Sequence, residues 1–320
     1  MADAVLSPAT ARVATWRDYL QLLKPRVMSL VVFTGLTGMV CSGAALHPVQ
    51  AAVAVLCIAV GAGAAGALNM AYDADIDAVM KRTRGRPVAA GRIAAPEAYG
   101  FGAALSLFAV LLMGLATNAL ASGLLAFTVV FYGLVYTAWL KRRTSQNIVI
   151  GGAAGALPPV IGWAAATGAA PLEAWLLFAL IFLWTPPHFW ALSLYASDDY
   201  ARAKVPMLPV AKGAPATRRA ILIYSIILAP LGVAPALVGL GGPAYAVASA
   251  VGGAVFLLLA WRVFRSRAGD APDGWAGRDG DLYDAKLQAK PARDLFAYSI
   301  LYLFGLFAVL LSERLVGIAA

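Results

Sequence analysis

Three aspartates, Asp73, Asp75 and Asp77, follow directly on a long apolar run. If that run continues as a helix, Asn69, Asp73 and Asp77 are spaced four residues apart and stack along one face, while Asp75 points elsewhere. Two carboxylates about 4 Å apart repel by about 4 kcal/mol at an effective dielectric of about 20, so we expect a cation between them. All-oxygen ligands favour Mg²⁺, which commonly binds through one or two carboxylates and substrate phosphates.

A dense basic segment, KRTRGR, comes directly after the aspartates. Its members Lys81, Arg82, Arg84 and Arg86 offer positive charge to the same phosphates, and arginine is suited to bidentate contacts with them. Part of this charge also serves topology, because cytoplasmic loops of membrane proteins carry an excess of Lys and Arg.

A second acidic helix end is predicted within the stretch WTPPHFWALSLYASDDYARAK. His188 lies inside the apolar part, after two prolines that interrupt the backbone hydrogen bonds of a helix. Asp198 and Asp199 follow about three turns later, and Lys204 lies in the basic loop behind them. Two such ends facing each other would form a site for a diphosphate held through Mg²⁺.

The composition requires a membrane protein, because 61% of the residues are hydrophobic and 13% are charged, against about 25% charged in soluble domains. Small residues crowd the apolar runs, which favours close packing of helices. The runs are long enough to span a bilayer and predict an all-α polytopic bundle of nine transmembrane helices. They cover residues 27–46, 51–72, 97–116, 119–140, 147–167, 172–195, 218–240, 243–263 and 295–315.

The basic residues indicate the orientation. The connections after the second, fourth, sixth and eighth spans are basic, whereas those after the first, third, fifth and seventh contain no Lys or Arg. The positive-inside rule therefore predicts that the N-terminus and all basic loops are cytoplasmic and that the C-terminus lies on the opposite side. The net charge of +9 follows from this topology, and no nucleic-acid motif accompanies it, so we expect no nucleic-acid partner.

The domain organisation is simple. Residues 1–26 are predicted to form a cytoplasmic segment whose part 12–26 is an amphipathic interfacial helix. Residues 27–320 form one membrane domain. The polar stretch 264–294 within it is predicted to be a mobile cytoplasmic connection.

The sequence resembles the UbiA superfamily of intramembrane prenyltransferases. Its signature, Asn-x-x-x-Asp-x-x-x-Asp, matches Asn69, Asp73 and Asp77. The strings KPRVMSL, NMAYDADIDAVMKRTRGRP, YTAWLKRRTSQNIVIGGAAGALPPVIGWAA, WTPPHFWALSLYASDDY and VPMLPVAKG resemble more narrowly the branch that farnesylates haem.

The resemblance implies a UbiA-type bundle with a central cavity, located in the cell inner (plasma) membrane. It implies Mg²⁺ as cofactor, farnesyl diphosphate and haem B as substrates, and transfer of the farnesyl group to a vinyl side chain to give haem O. The lipid bilayer is the environment, and haem A synthase or the assembly of a terminal oxidase would be the partner that receives the product.

The resemblance also implies roles for individual residues. Asn69, Asp73, Asp77 and Asp199 become ligands of metal and diphosphate, Arg82 and Arg86 diphosphate contacts, and His188 a haem contact. The expected catalytic residues are Asp73, Asp77, Arg82, Arg86 and Asp199. The expected substrate-binding residues are Asn69, Lys81, Lys141, Arg142, His188, Asp198 and Lys204.

The pattern departs from the superfamily at the second acidic site. The superfamily often has Asp-x-x-x-Asp there, but Tyr195 stands four residues before Asp199. Three alternatives also stay open. His188 could be a core histidine bonded to a carbonyl that the prolines leave free. The acceptor could be a quinone or chlorin ring. A transporter would instead require polar residues near the midplane of several spans.

Overall fold

The computed structural model describes residues 14–270 and 281–318, with backbone alone for 281–288. This part of the chain contains helices and connections but no β-strand, which confirms the all-α prediction. The helices are α1 (Trp16–Leu22), α2 (Pro25–Cys41), α3 (Pro48–Tyr72), α4 (Ala74–Val79), α5 (Ala95–Ala116), α6 (Ala119–Val130), α7 (Asn147–Ala156), α8 (Pro158–Thr167), α9 (Leu172–Tyr195), α10 (Ser197–Arg202), α11 (Leu208–Leu237), α12 (Pro243–Arg265) and α13 (Asp281–Leu315).

The number of spans agrees with the sequence. Eight helical segments of the described residues are long and apolar enough to cross a membrane, and a ninth appears if α1 and α2, bent by 50°, count as one span. A π-helix, Phe131–Trp139, and a short 3₁₀ turn, Leu140–Arg142, complete the span that α6 begins. The chain is therefore a multi-pass membrane protein.

Prolines set several of the helix boundaries. Proline occupies the first position of α2, α3, α8 and α12, where its missing N–H costs no hydrogen bond and its fixed φ suits a helix. The predicted span 147–167 is confirmed as one membrane-spanning segment, but its helical hydrogen bonding is interrupted because Pro158 and Pro159 cannot donate hydrogen bonds into the preceding turn. The chain divides there into α7 and α8, with Leu157 between them.

The N-terminal helix is shorter than predicted. Of the expected interfacial helix 12–26, Trp16–Leu22 forms α1 and the last two residues already belong to α2, while residues 1–13 lie outside the described part. Lys24 has a left-handed backbone (φ 51°), and Pro25 then starts α2 in a new direction. The bend at Lys24 turns its side chain toward the C-terminal end of α3, where Gly66 leaves room for it.

The predicted mobile connection 264–294 needs correction. Helix α12 continues to Arg265, and α13 already begins at Asp281, so the second half of the stretch is helical. Its residues DLYDAKLQAK are mostly good helix formers that run directly into the last apolar span. Residues 271–280 lie outside the described part.

Close contacts at glycine residues set one helix crossing in the interior. Helices α2 and α8 cross so tightly that a Cβ atom added to Gly162 would lie 1.9 Å from the carbonyl oxygen of Gly35. A Cβ on Gly38 would lie 2.1 Å from the carbonyl oxygen of Pro159. Only glycine permits this backbone approach. The crossing fixes α7 and α8, the most deeply buried span, against the first span of the bundle.

Candidate active site

The aspartate cluster lies where α3 ends. Asp73 interrupts the helix with φ −90° and ψ 13°, and the short helix α4 follows. Backbone hydrogen bonds between residues four apart continue across the break. The N–H of Asp73 donates to the Asn69 carbonyl at 2.9 Å, and the N–H of Asp77 donates to the Asp73 carbonyl at 2.8 Å. Asn69, Asp73 and Asp77 are all buried, whereas the Asp75 side chain is 64% exposed. The geometry expected from spacing is confirmed.

Asp73 is fully buried and carries most of the local contacts. Its Oδ2 accepts hydrogen bonds from Asn69 Nδ2, at 2.7 Å, and from Lys141 Nζ. Its Oδ1 accepts no hydrogen bond, although Arg142 Nη2 lies 3.6 Å away. One buried carboxylate oxygen therefore remains available to a ligand.

Asp77 is held by the basic segment that follows it. Arg86 Nη1 donates to both carboxylate oxygens of Asp77, at 2.9 and 2.7 Å. The hydroxyl of Thr83 donates to the Asp77 carbonyl at 3.1 Å, so the loop turns back onto α4. Arg86 thus pairs with the acidic cluster, and its predicted contact with a diphosphate stays a prediction.

Asp75 belongs to a different contact. It forms a bidentate ion pair with Arg142, at 2.7 and 2.8 Å, and this hydrogen bonding lowers the pKa of Asp75. Arg142 also donates to the Tyr72 carbonyl and lies over the Tyr72 ring, 4.8 Å from its centre. Arg142 therefore clips the end of the fourth span to the end of α3.

The π-helix positions the amide of Asn69. The hydroxyl of Thr137 donates to the carbonyl of Tyr132, five residues earlier, at 2.8 Å and accepts from Asn69 Nδ2 at 3.1 Å. Widened π turns are rare and often occur at functional sites. Here the π-helix brings a buried hydroxyl to Asn69 and sets Lys141 beside Asp73.

Lys24 is a site residue that the sequence reasoning missed. Its Nζ donates to Asn69 Oδ1 at 2.8 Å, which directs the amide oxygen of Asn69 toward the lysine. Lys24 opens the string KPRVMSL, but nothing in that string indicates a left-handed residue that folds back onto another helix. Together Lys24, Lys141 and Arg86 surround the two carboxylates with cations from three segments.

The second acidic helix end does face the first. Asp199 accepts long hydrogen bonds, both 3.4 Å, from the backbone N–H groups of Lys81 and Arg82, and it pairs with Arg202. The Arg82 guanidinium lies 3.5 Å from the hydroxyl of Tyr200. Among the described residues, no three Asp, Glu, His or Cys side chains form a metal-binding group, so Asp199 is not assembled with Asp73 and Asp77. Its metal role stays a prediction.

Three other predicted site residues make no side-chain contact with this cluster. Lys81, Asp198 and Lys204 are exposed, and among the described residues their side chains form no hydrogen bond or ion pair. Their predicted roles in substrate binding stay predictions.

His188 lies deeper, in the middle of α9, and is 8% exposed. Its ring stacks between Trp184 and Phe296, with centroid distances of 4.2 and 4.6 Å. Its Nδ1 is 2.6 Å from the hydroxyl of Ser299, on α13, and not bonded to a carbonyl that the prolines leave free. The histidine is therefore separate from the carboxylate cluster.

Comparison with known proteins adds the family. A model of the UbiA prenyltransferase family matches residues 31–278. A curated protein of Caulobacter vibrioides, named protoheme IX farnesyltransferase, is 65% identical over 97% of this chain and 94% of its own length. The protein of the same name from Maricaulis maris is 57% identical over 98% of this chain and 97% of its own.

Solved structures share the fold at low sequence identity. A structure described as digeranylgeranylglyceryl phosphate synthase aligns with a TM-score of 0.69 and 15% identity, over 92% of this chain and 98% of the other. A UbiA homologue of Archaeoglobus fulgidus, bound to GPP and Mg²⁺, aligns with a TM-score of 0.59 and 17% identity, over 91% and 100%.

Proposed function

We propose that this chain, which belongs to the UbiA prenyltransferase family, transfers the farnesyl group of farnesyl diphosphate to a vinyl group of haem B. Water adds in the same conversion, so the products are haem O and diphosphate. The observation that carries the acceptor is the 65% identity, over almost the whole length, to a protein named protoheme IX farnesyltransferase. This identity favours haem over a quinone or chlorin ring.

The site supports chemistry on a diphosphate. Its charged groups collect at the cytoplasmic ends of the spans, where a transporter would not need them. Three basic side chains, Lys24, Arg86 and Lys141, lie around two buried carboxylates. An allylic diphosphate leaves as an anion, and fixed positive charge stabilises the departing oxygens. Lys24, Arg86 and Lys141 are the cations best placed for this task, with Arg82 at the rim.

Mg²⁺ fits the donor atoms of this site. Asp73 Oδ1 is buried and accepts no hydrogen bond, and the neighbouring donors are carboxylate oxygens, which suit a hard cation. Asp73 and Asp77 would hold the ion, which stabilises negative charge on the diphosphate. The amide oxygen of Asn69 accepts a hydrogen bond from Lys24, and its amide nitrogen donates one to Asp73. We therefore assign Asn69 the role of orienting the Asp73 carboxylate. The Archaeoglobus homologue bound to GPP and Mg²⁺ supports a divalent metal.

The remaining assignments rest on chemistry and topology. His188 contacts the haem, because a large flat porphyrin can enter the apolar bundle at its depth while a diphosphate is held at the cytoplasmic end. The apolar surroundings protect the farnesyl carbocation from premature capture by water. By the positive-inside rule the site opens to the cytoplasmic face of the inner membrane, and haem O passes on to haem A synthase or a terminal oxidase.

The decisive experiment uses the purified protein with haem B, farnesyl diphosphate and Mg²⁺, and measures the product by mass. We expect the mass of haem O, and no product in the absence of farnesyl diphosphate. A parallel reaction with quinone and chlorin precursors provides the control. Prenylation of one of those rings, with haem B unchanged, would contradict the proposal.

A separate prediction concerns the two arginines. Arg82→Ala and Arg86→Ala should each weaken binding of a non-hydrolysable farnesyl diphosphate analogue by about tenfold or more, because each loses a charge-assisted contact. Haem binding should change far less. Calorimetric titration of both ligands measures this.

The matched control is Arg84→Ala, since Arg84 is exposed in the same loop. It should bind both ligands as the unchanged protein does. Equal loss of analogue and haem in Arg82→Ala and Arg86→Ala would mean that these arginines only support the loop.

A further inference from the structure

The imidazole ring of His188 is surrounded by aromatic rings and a buried hydroxyl inside a membrane span. Both faces of its ring are stacked, on Trp184 and Phe296, and a third ring, Phe189, meets it edge-on at 5.1 Å. The hydroxyl of Ser299, fully buried, lies against Nδ1. Among the described residues Nε2 has no hydrogen-bond partner, so the two nitrogens of the ring differ.

The Ser299 hydroxyl determines which nitrogen carries the proton. Its Oγ is 2.6 Å from the carbonyl oxygen of Phe296, and two oxygens this close require a hydrogen between them. The hydroxyl has one hydrogen and gives it to Phe296, so toward His188 it can only accept. Nδ1 must then be the protonated nitrogen, and Nε2 keeps its lone pair.

The backbone of Ser299 is fixed by a second contact. The Nε1 of Trp184 donates to the Ser299 carbonyl at 2.7 Å, and Trp184 is also the ring that stacks on His188. The serine is thus held from α9 on one side and within α13 on the other. It cannot turn away from the histidine without breaking a buried hydrogen bond.

We propose that Ser299 is a positioning residue: it holds His188 as the Nδ1–H tautomer, so that Nε2 is free to bind the iron of the substrate haem. This rests on the proposed function, because it takes His188 to be the haem contact. Neutral imidazole is a good iron ligand, and the bond made by its other nitrogen selects the ligating atom. No sequence motif indicates this serine, which lies 111 residues from His188.

The tautomer can be measured without any substrate. The sequence contains two histidines, so ¹⁵N-histidine labelling of a His47→Gln protein leaves the signals of His188 alone. We expect a protonated Nδ1 and an unprotonated Nε2 in the ¹⁵N solid-state spectrum. Ser299→Ala should move proton density to Nε2, and Ser299→Thr, which keeps the hydroxyl, should not.

Haem binding provides the second readout. Ser299→Ala should weaken haem B binding by about 10–100-fold, the usual loss when the partner of a metal-bound histidine is removed. It should shift the haem absorption in the same direction as His188→Ala and leave farnesyl diphosphate binding unchanged. Ser225→Ala is the control, because Ser225 is equally buried but bonds only the carbonyl of Ile221.

Three results would overturn the proposal. The first is a wild-type spectrum with the proton on Nε2. The second is a Ser299→Ala protein that binds haem as the wild type does. The third is a His188→Ala protein with an unchanged haem spectrum, which removes the haem contact itself. The mass assay distinguishes failure of this proposal from failure of the proposed function. If the wild type forms haem O, the proposed reaction stands even when the role of Ser299 is rejected. If the wild type forms no haem O, the proposed reaction itself is rejected.

Discussion

Asp73→Asn and Asp77→Asn should each reduce farnesyl transfer by at least about 1,000-fold, because each removes a buried charge on which Mg²⁺ and diphosphate binding depend. The replacements keep the shape of the side chain, so Asn69 and Arg86 retain neighbours of the same size. Turnover is measured by product mass at saturating substrate. Membrane insertion and size-exclusion profile should be unchanged.

The control is the aspartate between them. Asp75 has the same charge and lies in the same short helix, but its side chain is 64% exposed and pairs with Arg142. Asp75→Asn should therefore reduce turnover by no more than a few fold. Near-normal product formation by a well-folded Asp77→Asn protein would remove the metal assignment.

Gly162→Ala should damage the fold more than any other alanine replacement that we consider. The new Cβ would lie 1.9 Å from a backbone oxygen of α2, so two helices must separate, which costs more than about 3 kcal/mol. We expect little folded protein, or a thermal midpoint lowered by about 5 °C or more. Fluorescence-detected size exclusion after heating measures this.

Gly155→Ala is the matched change in the neighbouring helix. An added Cβ there meets nothing within 4 Å, and alanine is the better helix former. Its thermal midpoint should be unchanged or slightly higher. If Gly162→Ala melts at the same temperature as Gly155→Ala, the helix crossing is looser than the structure describes.

Helical periodicity predicted the features that lie within one segment of the chain. The apolar runs gave the spans, and fourfold spacing gave the common face of Asn69, Asp73 and Asp77. It also put Asp75 on the other side. These features follow from helix geometry within one segment, which a single sequence contains.

Contacts between segments distant in sequence could not be predicted. Lys24 reaches Asn69 across 45 residues, and Thr137 reaches it across 68, through a left-handed residue and a π-helix that have no clear sequence signal. Lys141 was predicted to bind substrate, but its pairing with Asp73 was not predicted. Tertiary packing determines such pairs. It also places Asp199 against the basic loop and not beside Asp73 and Asp77.

The ion pairs Arg86–Asp77 and Lys141–Asp73 differ in when the growing chain can form them. Arg86 follows Asp77 by nine residues, so this pair can close as soon as the loop leaves the ribosome. Lys141 follows Asp73 by 68 residues. At about 5–20 residues per second, that interval takes about 3–14 seconds. Lys141 can therefore pair with Asp73 only after the fourth span has been synthesised, later than Arg86 can pair with Asp77.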